Sequence, residues 1–468
     1  MSISQRENYI GKFGDKRLDK RAMLLSSLLY FGRSSSIHEL TDTEAELKGA
    51  YRFLSNEKVE EDKLIEVCKE KSRYLCSGQE VLVLSDTTEV NVDAHRNRLK
   101  PHTGLGLTGN NKDMGFFLHG SLVLNAQTQM ALGFSDVQLW HRREDKQNKE
   151  EREYKKLPIE EKESYKWIKA CLDSKAHLCL ARSITFIEDR EGDIYEQFAI
   201  VPDERVHLII RSRDNRNLSD GTKLFERLAS RAVAGSYSIA IVRDIRKGVE
   251  SRMAQVEVRH CKVGIKKPRT ITRSGLPKEI ELYAVEVREI NAEGVANPIL
   301  WRILTTHQLS CYEEALAIIA KYRMRWHIEQ LFRLLKKKGF QIESSELETG
   351  WSIRKLTVMI LSSALRVMQL LLAYNKEESQ PVEQGFNEGE IECMKELNKT
   401  LQGETEKSKN KNHPGKLSWA TWIIARLGGW KNFNSKRPPG PIILKKGLDK
   451  FLAIYQGWLL ASMRRDVS

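Results

Sequence analysis

The stretch Tyr322–Lys336, YRMRWHIEQLFRLLK, decides how the rest of the chain is interpreted. On a helix that turns about 100° per residue, several polar side chains fall within one stripe roughly 60° wide: Tyr322, Arg325, Glu329 and Lys336. An apolar row along one side of the stripe predicts a face that packs in the core: Ile328, Leu331, Phe332 and Leu335. The stripe combines an oxygen ligand for a metal ion with cations that bind phosphates. A solvated helix with i,i+4 ion pairs has similar spacing, so acidic segments elsewhere must decide between the two interpretations.

Two acidic segments follow predicted core strands. Val81–Leu84 is apolar and predicts a buried strand, with Asp86 close behind it. In SITFIEDREGDIYEQ, Ile184–Ile187 predict a second strand, and Asp189 lies near its end. A turn Asp or an acidic helix N-terminus explains either segment alone. Carboxylates that meet repel each other unless cations neutralise them, so the two aspartates and Glu329 together predict a site for Mg²⁺.

Several motifs, in the same order, resemble the bacterial cut-and-paste DDE transposases of the insertion sequence four family. They extend over nearly the whole chain: GAYRFLSN at 49–56, SDTT at 85–88, EKESYKW at 161–167, DREGDI at 189–194, the Y-x-x-R-x-x-x-E-x-x-x-x-x-x-K helix, and WATWIIARLGG at 419–429. The resemblance implies that Asp86, Asp189 and Glu329 are catalytic and hold two Mg²⁺ ions, with Mn²⁺ as a substitute. It also implies that Arg325 and Lys336 hold DNA phosphates near the cleavage site. Tyr322 would support them.

The same resemblance implies an α/β fold with a ribonuclease-H-like, retroviral-integrase-type catalytic core. An antiparallel β insertion interrupts this core, and helical N- and C-terminal domains flank it. The implied segments are 1–75 for DNA-end binding, 76–373 for catalysis with the insertion at 230–308, and 374–468 for dimerisation. The implied activity is excision of inverted-repeat ends through a hairpin intermediate, then joining of the 3′-hydroxyls to target DNA by two-metal phosphoryl transfer. Partners would be double-stranded DNA, as transposon ends and target, and a second copy of the chain on paired ends.

Further residues are candidates for DNA contact. Arg17 and Arg21 lie in a basic, helical N-terminal region, and the resemblance makes them contacts to transposon ends. Arg211 follows the predicted strand Val206–Ile210 and extends the basic surface. Trp301 matches the family's stacking platform for a base flipped out of the duplex, although a tryptophan in a strand is more often core.

The remaining pattern predicts the architecture in outline. A hairpin is predicted from Phe116–Asn125 and Met130–Leu139. Antiparallel strands are predicted for the insertion: Ser236–Arg243, Met253–Val263, Glu279–Ile290 and Ile299–Thr305. The glycine-rich segment LKPHTGLGLTGNNKD, 99–113, lacks the register of a phosphate-binding loop and predicts a flexible loop. An apolar stripe runs along the C-terminal helix, and the resemblance makes it a dimer contact.

Composition fits a polyanionic partner. The chain has 468 residues, with 77 Lys and Arg against 63 Asp and Glu, a formal charge of +14 and a pI near 9.3, which favours DNA, RNA or an acidic membrane. The apolar stretch Leu356–Tyr374 contains Arg366 and Gln369 and predicts a buried helix, so no membrane partner is expected. The start, MSISQRENYI, is polar, and the seven cysteines form no CxxC pair. A cytoplasmic, bacterial nucleoid-associated protein with reduced thiols is expected.

Two other functions remain open at this point. A DNA-binding regulator that has lost catalysis would keep the basic regions but not need the acidic residues. A ribonuclease-H-like nuclease that only hydrolyses DNA would need the acidic residues but not strand transfer.

Overall fold

The computed structural model describes residues 7–31, 36–142, 157–241, 249–271, 273–295, 297–336, 338–374, 376, 379–431 and 438–465. The sequence also contains a run of charged residues at 141–163, HRREDKQNKEEREYKKLPIEEKE. Most of this run and the end of the predicted strand Ser236–Arg243 lie outside the described residues. The chain divides into two compact units. Unit 1 comprises Met1–Gln79, Thr87–Lys146 and His327–Ser468, and unit 2 comprises Glu80–Asp86 and Gln147–Trp326. This division differs from the three segments expected above, which stay a prediction.

The helices begin and end as follows: α1 Lys16–Phe31, α2 Ile37–Leu40, α3 Glu44–Leu54, α4 Glu61–Leu75, α5 Tyr165–His177, α6 Tyr195–Ile200, α7 Leu224–Ala229, α8 Tyr312–Arg323, α9 Trp326–Lys336, α10 Gly350–Ala373, α11 Glu388–Leu401, α12 Leu417–Leu427 and α13 Pro441–Arg465. The strands are β1 Glu80–Asn91, β2 Gly106–Leu107, β3 Met114–Asn125, β4 Ala131–Trp140, β5 Ser183–Glu188, β6 Val206–Arg211, β7 Gly235–Ile241, β8 Arg252–Lys266, β9 Glu279–Glu289 and β10 Leu300–Thr305.

Helix α10 forms the core of unit 1. It is long and apolar enough to cross a membrane, but 89% of its most apolar window is buried inside the structure. It packs against α1, α4, α12 and α13. This confirms the predicted buried helix. Burial of such a long apolar helix by its neighbours is what the hydrophobic effect favours for a core element.

Two cations of α10 attach the N-terminal helices to this core. The Arg354 guanidinium donates two hydrogen bonds to the Glu61 carboxylate, at 2.8 and 2.7 Å. The buried Lys355 ammonium donates to the carbonyl oxygens of Leu54 and Asn56, just after the end of α3. Carbonyls at a helix C-terminus lack intrahelical donors, so this lysine caps α3.

The strands of unit 2 form a mixed sheet. Hydrogen-bonded neighbours follow the order β1-β5-β6-β10-β9-β8-β7. Strands β1, β5 and β6 are parallel, and β6, β10, β9, β8 and β7 pair antiparallel in turn. The predicted antiparallel strands of the insertion are confirmed as β7 to β10.

Unit 1 contains the predicted hairpin, β3 and β4, which pair antiparallel. Strand β2 pairs with β3. The segment predicted as a flexible loop is anchored instead: Trp351 N donates to Thr103 O at 2.7 Å, and Gly350 N donates to Thr103 Oγ1 at 3.0 Å. Gly104 has a φ of +88°, and a Cβ there would lie 2.7 Å from the Trp351 ring. The sequence pattern could not reveal this anchoring because its partners lie about 250 residues away in the chain.

Candidate active site

Two predicted carboxylates belong to neighbouring segments of unit 2: Asp86 lies in β1, and Asp189 directly follows β5. The parallel register of β1 and β5 pairs Val81 with Ile184 and Leu84 with Ile187. The pairing ends at Leu84 and Ile187, so Asp86 and Asp189 each lie two residues beyond it. Both carboxylates act on the pKa of Glu188, the last residue of β5. The carboxyl ends of parallel strands are where α/β sheets place ligands.

The sequence predicted that Asp86 follows the end of its strand, but Asp86 lies within the strand. Strand β1 continues to Asn91. Its residues are buried from Val81 to Ser85 and then alternate between buried and partly exposed. Both faces of the strand are therefore buried up to Ser85, and from Asp86 onwards the strand continues with only one face buried. An apolar run in the sequence indicates only the part in which both faces are buried.

The Asp86 carboxylate is bound to a cation. Arg325 Nη1 donates to Asp86 Oδ2 at 2.9 Å, and the two side chains are 15% and 16% exposed. A charge-assisted bond with so little exposure is stronger than a solvated surface pair. Arg325 therefore neutralises one of two adjacent carboxylates in unit 2.

Asp189 shapes the turn that follows β5. Its Oδ1 accepts a hydrogen bond from Glu191 N at 2.8 Å, which starts the 3-10 turn Arg190–Gly192. Within the described part of the chain, Asp189 Oδ2 accepts no hydrogen bond. Asp193 has a different role: it is buried and ion-paired with Arg216 at 2.5 Å, so it holds the turn in place.

The structure adds one acidic residue that the sequence analysis did not single out. Glu188 is fully buried. Gln197 Nε2 donates to its Oε2 at 2.6 Å, and Cys171 Sγ donates to its Oε1 at 3.2 Å. Burial is the main cause that raises the pKa of Glu188 to about 8. The hydrogen bonds from Cys171 and Gln197 oppose this rise, and the nearby Asp189 and Asp86 add to it. A Cβ at Gly192 would lie 2.0 Å from Glu188 Oε2, so glycine leaves the space that this carboxyl group fills.

The stretch that opened the sequence analysis is not one helix. Helix α8 ends at Arg323 and α9 begins at Trp326. Met324 N and Arg325 N donate to the carbonyls three residues back, those of Lys321 and Tyr322. These i→i−3 hydrogen bonds replace the α-helical pattern and interrupt the helix. The prediction of one continuous helix with a single polar stripe is therefore wrong. The predicted apolar row of α9 is buried, as expected.

Three further candidates lie near Arg325 in unit 2. The Trp301 and Tyr322 ring centroids are 6.3 Å apart, and Arg211 Nη2 donates to Leu300 O at 3.0 Å. Burial raises the pKa of the Tyr322 hydroxyl, while Arg325 and Arg211 lower it. Unit 2 thus brings together Asp86, Asp189, Arg211, Trp301, Tyr322 and Arg325.

The other predicted residues belong to unit 1. Glu329 and Lys336 lie on α9 and are partly exposed. Lys336 Nζ donates to Glu89 O at 2.7 Å and lies 3.8 Å from Glu343 Oε1. Arg17 and Arg21 lie on α1; the Arg17 side chain is 87% exposed, and Arg21 lines a cavity of about 250 Å³ between α1 and α3.

The donor set of unit 2 fits a hard cation in part. Asp86 and Asp189 supply carboxylate oxygens, which Mg²⁺ prefers. Among the described residues, no group of three or more His, Cys, Asp or Glu side chains is arranged to hold a metal ion. The metal-ligand role of the acidic triad therefore stays a prediction.

Comparison with known proteins identifies one region of the chain. Residues 2–59 match the family model described as transposase DNA-binding. A cryo-EM structure of the piggyBac transposase synaptic complex with hairpin DNA is also similar, with a TM-score of 0.36 and 8% sequence identity over 92% of this chain and 75% of that chain. A likeness this weak carries no argument about fold or function. The N-terminal match supports a transposase with DNA as its partner.

Proposed function

We propose that the protein is a DNA transposase of the bacterial insertion sequence four family, near the transposase of transposon five. The observation that carries the proposal is the pair Asp86 and Asp189, each two residues beyond the last paired residues of the parallel strands β1 and β5, with Arg325 bound to the first. The transposase DNA-binding match at residues 2–59 supports it independently. The parallel strands β1, β5 and β6, with the hairpin β3–β4, support a ribonuclease-H-like core.

The proposed reaction uses each residue in a simple way. In this proposal Asp86, Asp189 and Glu329 would hold two Mg²⁺ ions, and the ions would supply activation of water and of the 3′-hydroxyl. Arg325 and Lys336 bind DNA phosphates beside the cleavage site, and the Tyr322 hydroxyl donates a hydrogen bond to the same DNA backbone. Trp301 stacks on a flipped base, which offsets about 1–3 kcal/mol of unstacking. Water first attacks a phosphodiester at the transposon end and frees a 3′-hydroxyl. This hydroxyl attacks the opposite strand, which forms a hairpin and releases the flanking DNA. A second water hydrolyses the hairpin and regenerates the 3′-hydroxyl, which then attacks target DNA.

The experiment that tests this function uses the terminal inverted repeats that flank the coding region. We expect nicking of such an end with Mg²⁺ and none with EDTA. Pre-cut ends incubated with plasmid should give joined products. Nicking without joining would favour the hydrolysis-only nuclease, and end binding without nicking would favour the catalytically silent regulator.

The N-terminal region gives a prediction about end binding. Replacing Arg17 and Arg21 by alanine should weaken binding to a terminal-repeat duplex and lower the salt slope, log K against log [salt], by about 2, because each lost phosphate contact contributes about 0.9. Fluorescence anisotropy at several salt concentrations measures this. The matched control is Lys395→Ala with Lys399→Ala, two exposed lysines on α11. An unchanged slope in the arginine variant would remove these residues from the end contact.

The exposed half of α13 gives a prediction about pairing of ends. Ile454, Trp458, Leu459 and Leu460 are 39%, 39%, 38% and 67% exposed, whereas Phe451 and Leu452 are buried. Apolar side chains exposed along one helix mark an interaction surface. Ile454→Glu with Leu460→Glu should reduce the complex of two chains on two ends at least about tenfold, because charges are excluded from such interfaces. Multi-angle light scattering of the DNA complex measures this, and an undiminished paired complex would place the dimer contact elsewhere.

The proposed location is the bacterial cytoplasm, on nucleoid DNA. This follows from the proposed reaction, whose substrates are chromosomal.

A further inference from the structure

We propose that residues 93–112 together with Trp351, called here the 93–112 surface, form a second DNA-binding surface that holds the target duplex through its phosphates. The surface lies within unit 1 and contains none of the residues assigned to DNA above. The inference rests on the proposed function, because a transposase must bind a target that it does not recognise by sequence. Phosphate contacts suit that task because they carry no sequence information.

The backbone of the 93–112 surface is ordered. A 3-10 helix, Asp93–Arg98, has no buried residues, and Asp93 Oδ1 accepts from Met114 N at 2.9 Å. Lys100 N donates to Glu348 O at 2.7 Å, and Trp351 N holds Thr103 as described above. Side chains on a fixed scaffold lose less conformational entropy when a ligand binds.

The charge of the surface is strongly positive. It contains the cations Arg96, Arg98, Lys100 and Lys112, and a single acid, Asp93. Arg96 pairs with Asp93 at 2.7 Å and remains 49% exposed; Arg96 Nη2 also donates to Lys112 O, which brings the two ends of the segment together. Lys100 pairs with Glu348 at 3.0 Å and remains 63% exposed.

Two of these cations have no counter-ion among the residues that the structure describes. The side chains of Arg98 and Lys112 are exposed and form no ion pair or hydrogen bond with any residue that the structure describes. Exposed cations on one surface, not neutralised by the protein, are the electrostatic footprint of a polyanion-binding site.

An exposed aromatic side chain belongs to the same surface. Trp351 is 46% exposed, and its ring lies against Gly104 and 4.9 Å from the Arg354 guanidinium carbon. Aromatic side chains beside cations are typical of surfaces that bind nucleic acids. An acidic protein partner is less favoured, because protein interfaces are centred on well-packed anchor residues and the 3-10 helix has no buried residue around which one could pack.

The test measures binding of the full chain to a 30-base-pair duplex without any terminal repeat, in EDTA, by fluorescence anisotropy over a range of salt concentrations. Arg98→Ala with Lys112→Ala should weaken binding and lower the salt slope by about 2 relative to the unaltered chain. Lys395→Ala with Lys399→Ala, which removes the same charge from α11, should leave both unchanged. Equal thermal melting curves confirm that the variants are folded.

Two outcomes would overturn the inference. One is an unchanged slope and affinity in the Arg98 and Lys112 variant. The other is an equal loss in the α11 control, which would mean that only net charge matters. Because the assay contains no metal and measures no cutting, failure of the proposed catalytic function would leave this result interpretable by itself.

Discussion

Asp189→Asn is expected to reduce Mg²⁺-dependent nicking of transposon-end DNA at least about 10³-fold. A carboxylate ligand places a metal ion that stabilises the transition state by several kcal/mol, and each 1.36 kcal/mol is a factor of ten in rate. Asparagine keeps the oxygen that accepts from Glu191 N, so the turn after β5 should persist. Asp86 is a less clean choice because its carboxylate also binds Arg325.

The measurement is a single-turnover nicking assay with matched variants. Asp173→Asn is the control, since Asp173 is a 42% exposed acid on α5 that pairs with Lys169. It should retain nicking within about threefold, as surface ion pairs contribute little. Retention of more than a tenth of the activity in Asp189→Asn would exclude this residue as a metal ligand.

The second prediction concerns stability against pH. The folded-state pKa of Glu188, about 8, lies above its ordinary value of 4.5. Folding therefore favours the protonated form, and its contribution is fully present below about pH 4.5 and is lost as pH rises towards 8. At 1.36 kcal/mol per pKa unit, the loss in the free energy of unfolding across that window is of order 4–5 kcal/mol. Urea denaturation in EDTA, followed by tryptophan fluorescence, measures it.

Glu188→Gln is the matched variant for that measurement. Glutamine has the same shape and can accept from Gln197, but it does not ionise. We expect its urea midpoint to fall much less between pH 5 and 8.5 than the midpoint of the unaltered chain. Identical pH profiles for the two proteins would contradict the assignment of this titration to Glu188.

Much of the unit 2 sheet could be predicted from the sequence. Apolar, β-branched runs bounded by turns located β5, β6 and the antiparallel strands β7 to β10, because a strand with one or two covered faces leaves that pattern. The positions of Asp86 and Asp189 near the ends of such runs made them candidates, and their joint role as ligands stays a prediction. The pairing of β1 with β5 was not predictable, since it depends on residues about 100 positions apart.

Three features of the structure were not predicted from the sequence, each for a physical reason. The interruption at Met324 and Arg325 contains no glycine or proline, so the helical period continued through it in the sequence. Beyond Asp86 only one face of β1 is buried, so buried and partly exposed residues alternate and no apolar run indicates a strand there. Glu188 shares its strand face with Ile184 and Phe186, and this spacing of two predicts burial. Its burial was not predicted because a charged residue is ordinarily expected to be exposed.

The close contact between Gly192 and the Glu188 carboxyl group constrains how this sequence can evolve. Any larger residue at position 192 needs the volume that Glu188 occupies, so a substitution there should be tolerated only alongside a shorter side chain at 188. Among homologues the two sites should covary, with glycine accompanying glutamate and alanine accompanying a small residue. A mutational scan that alters one site at a time would misjudge both as intolerant.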